Sequence, residues 1–216
     1  LIDTKFSYYY ANFIEDKIIF VATDMKKGGI NEDAFIYISD YKGSYEKISA
    51  DDFDMSFGNS LGTDARFGAV RTFAIENDRL YFVVTEKETT KLYSIDTKGD
   101  LRKEIDQEVE DLAINKDEIY YLSMGRDSLS ELKKRDSDKT LIENKIESKV
   151  SNIDTFEFES NGDTLTGFIV LPSKFDKNKK YPTLLSVHGG PKTEFGDIFH
   201  HEHQVFANDG YIVIYL

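Results

Sequence analysis

The sequence has 216 residues, of which 40% are hydrophobic and 31% are charged, and that composition excludes a wholly disordered chain. The formal net charge of −13 argues against nucleic acid or an anionic membrane as a partner, because both attract clustered lysine and arginine. The absence of cysteine excludes disulfides, thiolate zinc sites and cysteine catalysis. No stretch approaches the ~18 apolar residues of a membrane span, so we expect a cytoplasmic protein, with its natural start upstream of Leu1.

Short β-rich runs dominate the first two thirds of the chain. They predict strands at Lys17–Thr23, Leu80–Thr85 and Glu118–Ser123, each opened by a turn that contains Asp or Asn. Each run is followed by a second one, beginning at Ala34, Lys91 and Ser130 respectively. We therefore predict that this part is all-β.

These strand pairs repeat one pattern. The runs beginning at Asp16, Asp78 and Asp117 share the order acidic, charged, apolar, aromatic, apolar. The last two begin 39 residues apart and the first two 62 apart, which predicts β-propeller blades with a long connection inserted at Ser49–Gly68. Closed propellers use about four to eight blades, so three blades predict a partial propeller. A generic antiparallel sandwich is the alternative.

Composition changes late in the chain, since all prolines and histidines follow Leu171. We predict two domains, 1–150 with the partial propeller and 151–216. Asn161-Gly162 predicts a hairpin with a type I′ turn. The apolar run Thr183–Val187 predicts a strand buried on both faces, and a short helix at Ile198–Asn208 precedes a further strand at Tyr211–Leu216.

The motif His188-Gly189-Gly190-Pro191 follows the predicted buried strand. Two glycines lack Cβ atoms, so the backbone can turn sharply and present an N–H group to an incoming carbonyl oxygen. In acyl transfer such a donor stabilises the tetrahedral oxyanion by roughly 2.7–4 kcal/mol. A turn of this kind after the third strand forms half of the oxyanion hole in α/β-hydrolases.

The stretch Phe156–Leu216, with HGGP and the later GY strand, resembles the start of the catalytic domain in the prolyl oligopeptidase family of serine peptidases. The acylaminoacyl peptidase and dipeptidyl aminopeptidase branch, which carries its propeller upstream, is the most similar. The resemblance implies that the Gly190 N–H is an oxyanion donor and that Gly189 keeps the turn open. It further implies that Pro191 fixes the direction in which the chain leaves the turn and that His188 is structural.

The family's catalytic Ser, Asp and His follow the HGGP strand, and none of them is expected within this sequence. We therefore expect a piece of a peptidase that cleaves short peptides by acyl transfer to serine, inactive by itself and without a cofactor. The alternatives are a non-catalytic propeller-like binding module and an esterase of the same hydrolase fold. Uncovered strands at 183–187 and 211–216 predict self-association.

Two further motifs are interpreted as non-catalytic. Gly58-Asn59-Ser60-Leu61-Gly62 matches the G-x-S-x-G nucleophile pattern, but its polar surroundings and its place before HGGP argue against a nucleophile. His200-His201-Glu202-His203 has three imidazoles, yet no other His or Cys completes a zinc site. We expect no metal there and a solvated helix face instead.

Overall fold

The computed structural model describes residues 6–53, 55–68, 70–137, 139–190 and 192–216. These residues form four sheets, and the first is an antiparallel meander in sequence order. Its strands are β1 (Ser7–Ile14), β2 (Lys17–Thr23), β3 (Phe35–Ser39) and β4 (Tyr45–Lys47), with a short 3₁₀ turn at Gly29–Asn31.

The second and third sheets repeat this plan. The second contains β5 (Ser56–Phe57), β6 (Phe73–Glu76), β7 (Arg79–Glu86), β8 (Thr89–Asp96) and β9 (Leu101–Ile105), with β5 and β6 both paired to β7. The third contains β10 (Asp111–Asn115), β11 (Glu118–Ser123), β12 (Glu131–Lys134) and β13 (Thr140–Ile142). The three runs of the sequence repeat therefore occupy equivalent strands, β2, β7 and β11.

The blade-like sheets pack through their apolar faces. One cluster joins the first two sheets, with Ile19 and Ile36 against Phe82 and Ile95. A second cluster joins the next pair, with Val83 and Leu92 against Leu112. Each sheet thus covers a face that its neighbour would expose to water. The architecture is mostly β, with propeller-like open sheets followed by the first strands of a hydrolase-type sheet.

The fourth sheet carries the site. It contains β14 (Ile153–Ser160), β15 (Asp163–Val170), β16 (Thr183–Ser186) and β17 (Ile212–Tyr215) in the order β14-β15-β17-β16, and helix α1 (His201–Asn208) lies between β16 and β17. The β14-β15 hairpin turns at Asn161 and Gly162, with φ of 54° and 96°, as the type I′ turn requires. Strand β16 runs parallel to β17, the arrangement that needs a crossover through α1.

Two details differ from the expectation. The strand predicted over Thr183–Val187 ends at Ser186, and Leu185 and Val187 are 62% and 74% exposed. Burial on both faces is thus wrong here, because α1 covers only the face of β16 on which Ser186 contacts His203, and Leu185 lies on the opposite face. The helix begins at His201 and not at Ile198, since Ile198 and Phe199 are buried beside Leu61 and Met124.

Candidate active site

The residues His188–Gly190, here called the glycine turn, directly follow β16 at its carboxyl end. Gly190 has a φ of 124°, a conformation that disfavours any residue with a Cβ. An added Cβ would lie 2.8 Å from the Thr193 nitrogen and 3.0 Å from the Lys192 nitrogen. The turn therefore folds back tightly on the residues that follow it, and only glycine fits at its tip.

The two glycines of the turn lie at the protein surface. Both glycines are exposed, and a Cβ placed on Gly189 would meet no atom within 4 Å. Within the part of the chain that the structure describes, neither Gly189 N–H nor Gly190 N–H has a hydrogen-bond acceptor. Backbone donors left unpaired beside the end of a strand are suited to bind an anionic oxygen. Pro191, predicted to fix the exit, lies outside the described residues.

His188 contacts its own turn. Its Nδ1 atom lies 2.9 Å from the Gly189 carbonyl oxygen, and because a carbonyl only accepts, the ring must donate this bond. The edge of the ring packs on Phe195, with centroids 5.8 Å apart. The imidazole thus ties the strand end to the segment beyond the turn.

The helix histidines are partly buried, contrary to the expectation of a solvated face. His203 is 2% exposed, its Nε2 lies 3.0 Å from the Ser186 hydroxyl, and its ring stacks on His200 with centroids 3.9 Å apart. The expectation is wrong for His203 because this face of α1 packs towards β16 and β17, where Tyr215 also contacts the ring. Only His201 and Glu202 of the motif are exposed.

Burial changes the protonation of this histidine. Desolvation, with a smaller contribution from His200, lowers the pKa of His203 to about 4 from 6.5. The same cause lowers the pKa of His200. Both rings are therefore neutral near pH 7, and His203 Nδ1 finds no partner among the described residues.

We expect the free energy of unfolding to fall by about 3 kcal/mol between pH 7 and pH 4 through His203 alone. In that window the unfolded chain binds a proton on this imidazole and the folded protein does not, so acid favours unfolding. Urea unfolding at several pH values gives the slope of the free energy of unfolding against pH, and this slope should be shallower for His203→Gln than for the wild type. The exposed neighbour variant His201→Gln should keep the wild-type slope, and an unchanged slope in His203→Gln would contradict the account.

The G-x-S-x-G motif takes no elbow geometry. It follows the two-residue strand β5, and the described residues between the motif and β6 contain no helix. The backbone of Ser60 is engaged on both sides, its N–H with Thr85 Oγ1 at 2.8 Å and its carbonyl with the Glu194 N–H at 3.2 Å. The motif therefore lacks the strand-to-helix turn that exposes a nucleophilic serine.

Metal ligands and membrane-spanning segments were also considered. Within the described ranges, no group of three or more His, Asp or Glu side chains converges as a metal site. The same residues include no helix with the length and hydropathy needed to cross a bilayer.

Sequence comparison finds peptidases. No family model matches the chain. A probable dipeptidyl-peptidase 5 from Aspergillus niger is 39% identical over 66 residues, which is 30% of this chain and 9% of that protein. Dipeptidyl-peptidase 5 from Schizosaccharomyces pombe is 32% identical over 100 residues, or 45% of this chain and 14% of that protein. The matches thus span a small part of these relatives.

Structural comparison extends the likeness to nearly the whole chain. The acylaminoacyl peptidase of Pyrococcus horikoshii superimposes with a TM-score of 0.76 and 25% sequence identity. The match covers 97% of this chain and 32% of that one. The chain therefore corresponds to about a third of the solved structure, and the blade-like sheets and the fourth sheet are matched together.

Proposed function

We propose that the chain is part of a serine peptidase of the prolyl oligopeptidase family that cleaves short peptides. The observation that carries this proposal is the glycine turn after β16, whose two amides have no hydrogen-bond acceptor among the described residues. In the proposed mechanism, the Gly190 N–H donates to the carbonyl oxygen of the scissile bond as that oxygen gains negative charge. Gly189 leaves room for the oxygen to approach.

The remaining catalytic groups are proposed to lie outside this sequence. A serine hydroxyl would attack the acyl carbon while a histidine takes its proton. The histidine would pass that proton to the leaving amine as the peptide C–N bond breaks, and an aspartate would orient the histidine. The acyl-enzyme would then be released by water, so the same oxyanion donor acts in both steps. This chain would supply the oxyanion turn and the blade-like sheets beside it, with no cofactor.

Labelling with a fluorophosphonate tests the proposal, because this reagent reacts with an activated serine. We expect one label per molecule on the full-length protein and none on residues 1–216 expressed alone. Stoichiometric labelling of the shorter chain would refute the missing nucleophile, and an unlabelled full-length protein would instead support a binding module. Comparison of aminoacyl anilides with simple esters as substrates then separates a peptidase from an esterase.

A further inference from the structure

The residues Gly58–Asp64, here called the docking loop, run alongside the segment that follows the glycine turn. The Gly62 N–H donates to the Glu194 carbonyl at 2.8 Å, and the Glu194 N–H donates to the Ser60 carbonyl at 3.2 Å. These two bonds form a parallel β-bridge between Leu61 and Glu194. The G-x-S-x-G motif thus uses its backbone, and not its serine hydroxyl, at this site.

Side-chain contacts continue the attachment. Leu61 is 2% exposed, and a Cβ on Gly196 would lie 2.7 Å from its Cδ1 atom, so the two residues pack as closely as glycine allows. Further along, Thr63 Oγ1 donates to the Phe199 carbonyl at 2.6 Å. The docking loop therefore contacts the 194–199 segment at several successive points along its length.

The loop also caps the helix. Helix α1 has no capping hydrogen bond from the side chain of its N-cap residue, His200. Asp64 supplies two from the loop, with Oδ1 accepting from the His201 N–H at 2.6 Å and Oδ2 from the Glu202 N–H at 2.8 Å. A carboxylate here also interacts favourably with the positive end of the helix dipole.

The loop is itself fixed to the second sheet. Thr85 of β7 accepts from the Ser60 N–H at 2.8 Å and donates to the Gly58 carbonyl at 3.0 Å. Arg66 donates to the Leu61 carbonyl at 2.9 Å. Because these bonds fix the loop, the residues that it contacts are held in place relative to the second sheet.

Thr193 connects the docking loop with the glycine turn. A Cβ on Gly62 would lie 3.3 Å from the Thr193 methyl carbon, and a Cβ on Gly190 would lie 2.8 Å from the Thr193 nitrogen. Thr193 is therefore held between the two glycines. The adjacent Lys192 also contacts the connection between β2 and β3, where its Nζ atom lies 3.3 Å from the Glu32 carbonyl oxygen.

We propose, building on the peptidase function above, that the docking loop is a positioning element for the oxyanion turn. By holding Thr193 and Glu194, it keeps the Gly190 N–H directed at the site of the acyl oxygen. The loop makes no contact with the reacting atoms and acts only through the close approach of Thr193 to Gly190. Its effect is therefore on the transition state more than on substrate binding.

The test uses the full-length protein with Gly62→Val, Thr193→Ser and the double variant. Valine at 62 presses on the Thr193 methyl group, and serine at 193 removes that methyl group while keeping the hydroxyl. The kinetic constants kcat and KM are measured on aminoacyl anilides. Hydrogen–deuterium exchange of the 189–197 backbone gives a readout that does not need activity.

We expect Gly62→Val to lower kcat about tenfold with little change in KM, since small displacements of a positioned group carry costs of this order. Exchange over 189–197 should be faster in this variant. Thr193→Ser alone keeps the backbone bonds of Glu194 to the loop but loses the methyl contact with Gly62, so it should lower kcat less than Gly62→Val does. In the double variant it should recover most of the kcat that Gly62→Val loses.

Unchanged exchange in Gly62→Val, or a loss of kcat that Thr193→Ser does not rescue, would overturn the proposal. If the wild-type protein itself is inactive, the proposed peptidase function is refuted, and the catalytic role of the loop is refuted with it. Faster exchange that serine rescues would in that case still show that the loop holds the turn.

Discussion

Replacing Gly190 with alanine is expected to lower kcat of the full-length protein about 100- to 1,000-fold, the usual cost of losing one oxyanion donor. The φ of 124° and the 2.8 Å approach to the Thr193 nitrogen leave no space for a Cβ. The turn must therefore shift, and the amide moves away from the developing charge. We expect KM to change by no more than about twofold, because the lost interaction forms only in the transition state.

Gly162→Ala provides the matched control for backbone strain. Gly162 has a φ of 96° in the β14-β15 hairpin, and an added Cβ would meet nothing within 4 Å. This variant should lose stability to a similar left-handed strain while keeping its kcat. If both variants lose kcat equally, the loss reflects general destabilisation, and the assignment of Gly190 fails.

The variant Glu108→Gln is expected to gain stability relative to the wild type as the pH rises. The difference in the free energy of unfolding between the two proteins should be about 4 kcal/mol larger at pH 8 and above than at pH 4. Burial, reinforced by the nearby carboxylate of Glu110, raises the pKa of Glu108 from 4.5 to about 8. The folded protein keeps a proton that the unfolded chain releases. The free energy of unfolding therefore falls as the pH rises from about 4.5 to 8.

The surroundings of Glu108 explain why glutamine fits. Its Oε2 atom accepts from the Met124 N–H at 2.6 Å, which an amide oxygen can also do, and its Oε1 atom finds no partner among the described residues. Neighbouring Glu110 forms an ion pair with Arg66 at 2.7 Å and accepts a hydrogen bond from the Ser130 hydroxyl. Glutamine thus mimics the protonated carboxyl and cannot ionise.

Urea unfolding of Glu108→Gln and the wild type between pH 4 and 9 measures this effect. The free energies of unfolding of the two proteins, plotted against pH, should diverge steadily as the pH rises. Glu157→Gln, on the exposed side of β14, is the control and should show a constant difference. A constant difference for Glu108→Gln as well would contradict the raised pKa.

Local signals in the sequence predicted the parts of the fold that depend on neighbouring residues. Short runs rich in β-branched and aromatic residues located β2, β7 and β11. The consecutive apolar residues of β2 and β7 suit strands that are buried on both faces. Asn161-Gly162 predicted its hairpin because both residues tolerate positive φ. The glycine turn was also visible, since two adjacent glycines after an apolar strand are a local feature. The assignment of Gly190 and Gly189 as oxyanion residues stays a prediction.

Contacts between distant segments could not be predicted in this way. Asp64 caps a helix that begins 137 residues later, and no periodicity or motif in either segment indicates that partner. The burial of His203 depends on the same packing, because α1 alone has polar residues on most of its surface. The sequence indicates an inserted connection and a non-catalytic G-x-S-x-G match for the docking loop, and neither predicts its pairing with Glu194.

The most direct test is a structure of the full-length protein with a peptidyl boronic acid bound to its catalytic serine. Such an adduct is tetrahedral and places an oxygen where the oxyanion forms. We predict that this oxygen lies about 2.7–3.1 Å from the Gly190 nitrogen, with the docking loop still paired to Glu194. An adduct oxygen held by other groups, with the Gly190 N–H directed elsewhere, would contradict the account.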